Sequence, residues 1–303
     1  MTGAVVALDV GGTHVSAATV DVGSAAVVSA SHVRTELVSG SSREELLARL
    51  RDTAAAARHE DVVAVGVAVP GPFDYARGIC LLEHKLESLY GVDLRGELAA
   101  ALSLAPTQVR FVNDAEAFLL GEWWAGAAHG HDRAVGITLG TGLGSAFLEH
   151  GQIVRTGAGV PPEGALHRQP FHGAPVEERI SRAGLLARYG ESDIDVAEIA
   201  RRARDGELRA GEAFDMLAHD LAAFLRPWLE AFAPSFLVVG GSIARSWDLL
   251  EGGLDSLERD EAYAGSDVAL GGRLGEQRDA GPGGHREQCV LHVRLSDFGE
   301  RRR

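Results

Sequence analysis

Cysteine is nearly absent from this chain. Only Cys80 and Cys289 occur among 303 residues, which excludes a disulfide framework and a multi-cysteine metal site. Basic side chains are outnumbered too: 29 Lys and Arg stand against 43 Asp and Glu, a net charge of −14. A protein that tracks a phosphate backbone needs a basic face, so nucleic acid is not an expected partner. No apolar run approaches the length of a membrane span, and Met1-Thr2-Gly3 leads directly into a strand. The expectation is a cytoplasmic protein in a reducing compartment, with no membrane partner.

What remains is an apolar, glycine-rich chain. With 46% hydrophobic residues and 38 glycines, it is long enough for roughly two domains with separate cores. Strands and helices alternate, the pattern of a mixed α/β layer fold. Ala4–Leu8 is a β-branched run, followed by Asp9-Val-Gly11-Gly12-Thr13 and a second strand through Val15, Ala17 and Val20. Ser41-Ser-Arg-Glu44 reads as a capping box opening a helix with Leu46, Leu47, Leu50 and Ala54 on one face. Val62–Val69 is a buried strand stopped by Pro70-Gly71-Pro72, and Leu94–Leu102 reads as a helix.

The organising stretch is Gln108–Trp124. A short strand (Val109, Phe111, Val112) ends at Asn113-Asp114 and restarts as a helix that is apolar at Phe118, Leu119, Trp123 and Ala127. Open α/β sheets place ligand chemistry at the carboxyl ends of their strands. A carboxylate there is placed to accept a proton, with its amide neighbour orienting the donor. The same Asp114 also suits a helix N-cap.

The second half repeats the opening. Ala134–Leu139, the turn Gly140-Thr141-Gly142-Leu-Gly144 and Ser145–Leu148 form strand, turn, strand. Two such glycine and hydroxyl turns can present backbone N–H groups to an anion. A dinucleotide fingerprint requires a helix directly after the glycines, and a strand follows here, which rules against a Rossmann fold. Further on, Glu163 and His167 lie in a proline-bounded loop, and Val176–Ser181 begins a helix continued by Leu185 and Leu186. Glu207–Phe232 reads as one helical region kinked or broken at Pro227, and Phe236–Ser242 as a strand, a Gly240-Gly241 turn and a helix through Leu249 and Leu250.

Together, Asp9-Val-Gly-Gly-Thr13, Pro70-Gly-Pro72, Asn113-Asp114, Gly140-Thr-Gly-Leu-Gly144 and Val239-Gly-Gly-Ser242 resemble, in order and spacing, the ROK family of sugar kinases and repressors. The resemblance spans roughly residues 3 to 277 and implies a two-domain actin-like (ribonuclease H-like) ATPase fold. Each domain would hold a five-stranded mixed sheet flanked by helices: residues 1–115, residues 116–277, and then an atypical tail, 278–303. The implied activity is ATP-dependent phosphorylation of a hexose, glucokinase-like, with Asp114 as general base. Gly71, Asn113, Glu163, His167 and Glu177 would bind the sugar. Gly11, Gly12, Thr13, Gly140, Thr141 and Gly142 would cradle the phosphates, Gly240 and Gly241 would border the nucleoside, and Asp9 would hold Mg²⁺ through water. A homodimer is compatible with the resemblance. The alternatives are a non-catalytic sugar-sensing relative and a polyphosphate-dependent kinase. Repressors of the family carry a helix-turn-helix ahead of the kinase-like part, and only eight residues precede Asp9.

The chain departs from the family in three places. The family's cysteine-rich zinc motif is missing between His167 and Glu177, so no zinc is expected, and His129 and His131 read as solvated turn residues rather than ligands. Glu163 and His167 are one residue further apart than in the family pattern, and a pocket asparagine is replaced around His84-Lys85. Finally, residues after about Gln277 lack any amphipathic period and read as a frameshifted, mostly disordered tail. The expected outcome of reading the coding DNA one base out of phase beyond codon 277 is an apolar helix; a frame without one refutes the frameshift.

Overall fold

The computed structural model describes residues 3–38, 40–59, 61–83, 86–191, 193–254 and 257, together with the backbone of Leu291–Arg294. The chain divides into two compact units, Met1–Ala117 and Phe118–Arg303. His84, Lys85 and Cys289 lie outside the described residues.

The first unit is built on the β-branched runs. β1 (Ala4–Val10) forms an antiparallel hairpin with β2 (His14–Asp21), whose outer edge is shared by two short strands, β3 (Ala26–Val27) and β4 (Val33–Glu36). α1 (Arg43–Ala56) follows, then β5 (Val62–Val69), a small hairpin of β6 (Phe73–Asp74) and β7 (Ile79–Cys80), α2 (Leu94–Ala101) and β8 (Val109–Asn113). β5 lies parallel to β1, and β8 parallel to β5. This sheet therefore has six strands rather than the expected five, because the outer edge is split between β3 and β4.

α1 starts one residue later than the capping pattern suggests. Ser42 is the cap: its hydroxyl accepts the Glu45 N–H, and the Glu45 carboxylate accepts the Ser42 N–H at 2.8 Å. This register leaves the Ser41 carbonyl to accept the Ser88 hydroxyl at 2.9 Å. Leu46, Leu47, Leu50 and Ala54 are buried against alternate residues of the sheet, among them Val6, Leu8, Val65 and Val67. Ala7 and Asp9, pointing to the opposite face of β1, are exposed.

In the second unit, α3 (Asp114–Ala125), which begins in the first, leads to β9 (Arg133–Leu139), β10 (Leu143–Glu149) and β11 (Gln152–Val154). A small hairpin of β12 (Pro170–Phe171) and β13 (Ala174–Pro175) precedes α4 (Arg182–Tyr189), α5 (Val196–Arg204) and α6 (Leu208–Phe232). β14 (Phe236–Gly240) runs parallel to β9, and α7 (Glu251–Leu254) follows a 3₁₀ stretch over Ala244–Leu249. β15 (Leu291–Arg294) pairs antiparallel with β14, completing a five-stranded sheet. These four residues form a strand; the rest of 278–303, expected to be mostly disordered, lies outside the described residues.

Both faces of this sheet are covered, so its strands are apolar throughout. Val135, Ile137, Phe147, Leu237 and Val239 face the cluster that includes α4–α6. Ala134, Ala146, Leu148, Phe236 and Val238 face Leu119 of α3. α6 runs unbroken through Pro227, with eleven buried side chains offsetting the ~3 kcal/mol that an interior proline costs. The expected helix from Val176 is instead a 3₁₀ turn, Val176–Glu178, because Ser181 caps α4 by accepting the Gly184 N–H at 3.2 Å. His131 is not a solvated turn residue. Its ring stacks on Phe236 at 4.5 Å and lies 3.0 Å from the Ser235 hydroxyl, whereas His129 is exposed and meets the Trp124 carbonyl.

Leu217 is fully buried at the centre of α6. Leu217→Ala is expected to destabilise the second unit by about 3 kcal/mol, and Ser42→Ala the first by about 1 kcal/mol, each read from urea unfolding curves.

Candidate active site

The carboxyl ends of β1, β5 and β8 finish along one edge of the first sheet. Asp9 pairs in register with Ala68, Ala68 with Val112, and Val69 with Asn113. At the usual strand spacing, Asp9 and Asn113 are about 10 Å apart across the edge. Asp114 follows as the first residue of α3 and is exposed. Asp9 keeps solvent access, yet its carboxyl is held above the ordinary carboxylate range. The protein packed around it is the main cause and the negative charge of Asp114 the second, with Arg34 opposing. Arg34 lies on the same row, since Asp9 pairs with Ser16 and Ser16 with Arg34.

The Asn113-Asp114 pair meets the start of α3. The Ala115 N–H is shared by Asn113 Oδ1 and Asp114 Oδ1, each at 3.0 Å, so the pair caps α3. The orientation of Asn113 is set by a residue that sequence reasoning missed. Asn113 Nδ2 donates to the Tyr75 hydroxyl at 3.2 Å, and that hydroxyl donates to the Val69 carbonyl at 3.2 Å. Arg95 in turn holds the Tyr75 and Ala76 carbonyls at 3.2 and 2.9 Å. A Cβ on Gly71 would sit 3.6 Å from the same hydroxyl, which places Gly71 beside the Asn113 amide. Only the aromatic residue just beyond the Pro70-Gly71-Pro72 turn hinted at this.

The first glycine turn is closed by the Gly11 N–H, which donates to His14 O at 2.8 Å, leaving Gly12 and the exposed Thr13 at its tip. The Thr13 hydroxyl lies 3.0 Å from His14 Nδ1.

The second unit gathers its own set. In the β9–β10 turn, Gly140 N–H donates to Gly142 O at 3.0 Å and Thr141 is exposed. The Gly240-Gly241 turn lies alongside: Ile243 N–H donates to Leu139 O at 3.0 Å, and a Cβ on Gly140 would sit 3.4 Å from Ser242 Oγ. Gly241 has φ +95° and presses on the Leu139 backbone, so a side chain is excluded twice over. Glu177, expected at the sugar, accepts the Leu143 N–H at 2.8 Å through Oε1.

Glu163 is exposed and held in the left-handed region, φ 59° and ψ 15°, a conformation that costs a non-glycine residue about 1 kcal/mol or more. Ser145, a second residue missed from sequence, anchors this loop to β10. Its hydroxyl donates to Gly164 O at 2.6 Å and accepts the Leu166 N–H at 3.0 Å. His167 is exposed in the following 3₁₀ turn. Among the described residues, no group of three or more His, Cys, Asp or Glu is placed to hold a metal ion, and no helix is long and apolar enough to cross a membrane.

Residues 5–259 match the ROK family. A glucokinase from Thermotoga maritima is 29% identical over 238 residues, covering 70% of this chain and 74% of that protein. An N-acetyl-D-glucosamine kinase from Pectobacterium atrosepticum is 30% identical over 203 residues, covering 60% and 65%. Among solved structures, a ROK family glucokinase from Streptomyces griseus, in complex with glucose and AMPPNP, superposes with a TM-score of 0.69 at 24% identity, over 86% of this chain and 91% of that one. The chain belongs to the ROK family, and its fold is the two-domain actin-like fold of that family's sugar kinases.

Tyr75→Phe keeps the ring and removes the hydroxyl that orients Asn113. The expected outcome is a shift of the Asn113 side-chain NH₂ resonances with a stability loss of about 1 kcal/mol; unchanged resonances refute the orienting role.

Proposed function

We propose that this protein transfers the γ-phosphoryl group of ATP to a hexose hydroxyl, with Asp114 as the general base. The observation that carries the reading is the placement of Asp114: an exposed carboxylate on the strand-end edge, next to an amide whose orientation is fixed by Tyr75. The chain is a sugar kinase on this reading, with glucose the first acceptor to try, in keeping with its kinase relatives.

The acceptor hydroxyl donates its hydrogen to Asp114 while its oxygen attacks the γ-phosphorus. The P–O bond to ADP breaks, and the proton stays on the carboxylate. Asn113 contributes an amide N–H to hold the acceptor, with Gly71, Glu163, His167 and Glu177 completing the sugar contacts. Gly11, Gly12 and Thr13, with Gly140, Thr141 and Gly142, supply backbone and hydroxyl donors to the phosphates, and Gly240 and Gly241 border the nucleoside. Phosphoryl transfer depends on positioning and charge neutralisation more than on covalent help, so donors and one base suffice. Asp9, at the carboxyl end of β1, would hold Mg²⁺ through water, neutralising phosphate charge.

Asp114→Asn separates the cap from the base, because an amide oxygen still accepts the Ala115 N–H but cannot take a proton. The expected outcome is a fall in turnover of about 10²–10⁴-fold with the unfolding midpoint nearly unchanged. It is measured by coupled ADP release across hexoses and N-acetylhexosamines, with polyphosphate as a competing donor. Turnover within tenfold of the parent overturns the base assignment.

A further inference from the structure

Family resemblance places Glu177 at the sugar, yet its carboxylate is engaged by the glycine turn of β9–β10. Oε1 accepts the Leu143 N–H at 2.8 Å, and a Cβ on Gly142 would collide with that same oxygen. At the other end of the turn, the Arg182 N–H donates to Gly140 O at 2.8 Å. Glu177 and Arg182 belong to one short stiff segment, since the Ser181 hydroxyl donates to Glu177 O at 2.5 Å and accepts the Gly184 N–H at 3.2 Å. One segment therefore holds both ends of the turn, Leu143 through a side chain and Gly140 through the backbone.

We propose that Glu177 is a positioning residue of the nucleotide site, holding the Gly140–Gly142 turn in the shape that receives a triphosphate. The inference rests on the reading of that turn as phosphate-binding. Three hydrogen bonds commit four of the turn's polar backbone groups: Gly140 N–H to Gly142 O, Gly140 O to the Arg182 N–H, and Leu143 N–H to Glu177. This leaves the tip, Thr141 and Gly142, to meet an anion. Without the carboxylate, the Leu143 N–H loses its acceptor and the turn its fixed exit into β10. The contribution of Glu177 is the hydrogen bond and not the charge, because a carboxylate beside a triphosphate is repulsive. Glutamine, which keeps an acceptor oxygen of the same reach, supplies the positioning without the repulsion.

The sign of each effect follows. Glu177→Ala is expected to weaken MgAMPPNP binding, titrated without sugar, by about tenfold. Glu177→Gln is expected to bind the nucleotide at least as tightly as the parent. A role confined to the sugar would raise the sugar KM in both variants and leave nucleotide affinity alone. Thr141→Asp puts a like charge at the turn's tip and serves as the control for the turn itself. If Thr141→Asp weakens nucleotide binding and Glu177→Ala does not, the positioning role falls and the phosphate turn stands. Should both bind nucleotide as the parent does, the phosphate-turn reading falls and the inference with it. Thermal melts identify a variant that has lost its fold. If Glu177→Ala is one, Glu177→Gln decides, and a tenfold loss of nucleotide affinity there overturns the proposal.

Discussion

Two acidic side chains, Asp9 and Asp114, are held on one edge of the first sheet by its strand order, and that placement is the constraint on which this half of the molecule depends. β1 and β8 are both parallel to β5, so Asp9 and Asn113-Asp114 must finish on the same side. The buried valines of β5 between them fix the separation. Arg34, on the same row as Asp9, opposes the rise in the Asp9 carboxyl's proton affinity, whose main cause is burial and whose second cause is the charge of Asp114.

The second unit brings its glycine turns together through backbone contacts. Its glycines allow main chain to approach main chain: Gly241 presses on Leu139, and Gly240 would meet Phe118 Cζ at 2.7 Å if it carried a Cβ. Side chains then lock what glycine leaves loose. Glu177 does so for the β9–β10 turn and Ser145 for the loop that carries Glu163. Each lock is a single polar group with its hydrogen bonds made inside the unit.

Much of this was legible in the order of residues. Strands ended where β-branched runs met Asp9 and Asn113, hairpins appeared where glycine pairs followed such runs, and α1 showed its buried leucines by their spacing. The contacts that aim the site were not legible. Tyr75 reaches Asn113 across 38 positions and Glu177 reaches Leu143 across 34, and no local pattern encodes such a partnership. The short edge strands β3 and β4 also carry too few residues to show a period.

The loop bearing Glu163 hangs from β10 by the Ser145 hydroxyl, which grips it on either side of Ala165. Such a suspension ties Gly164 and Leu166 to one strand hydroxyl, so the chain on either side of Ala165 shifts with β10 and not independently of it.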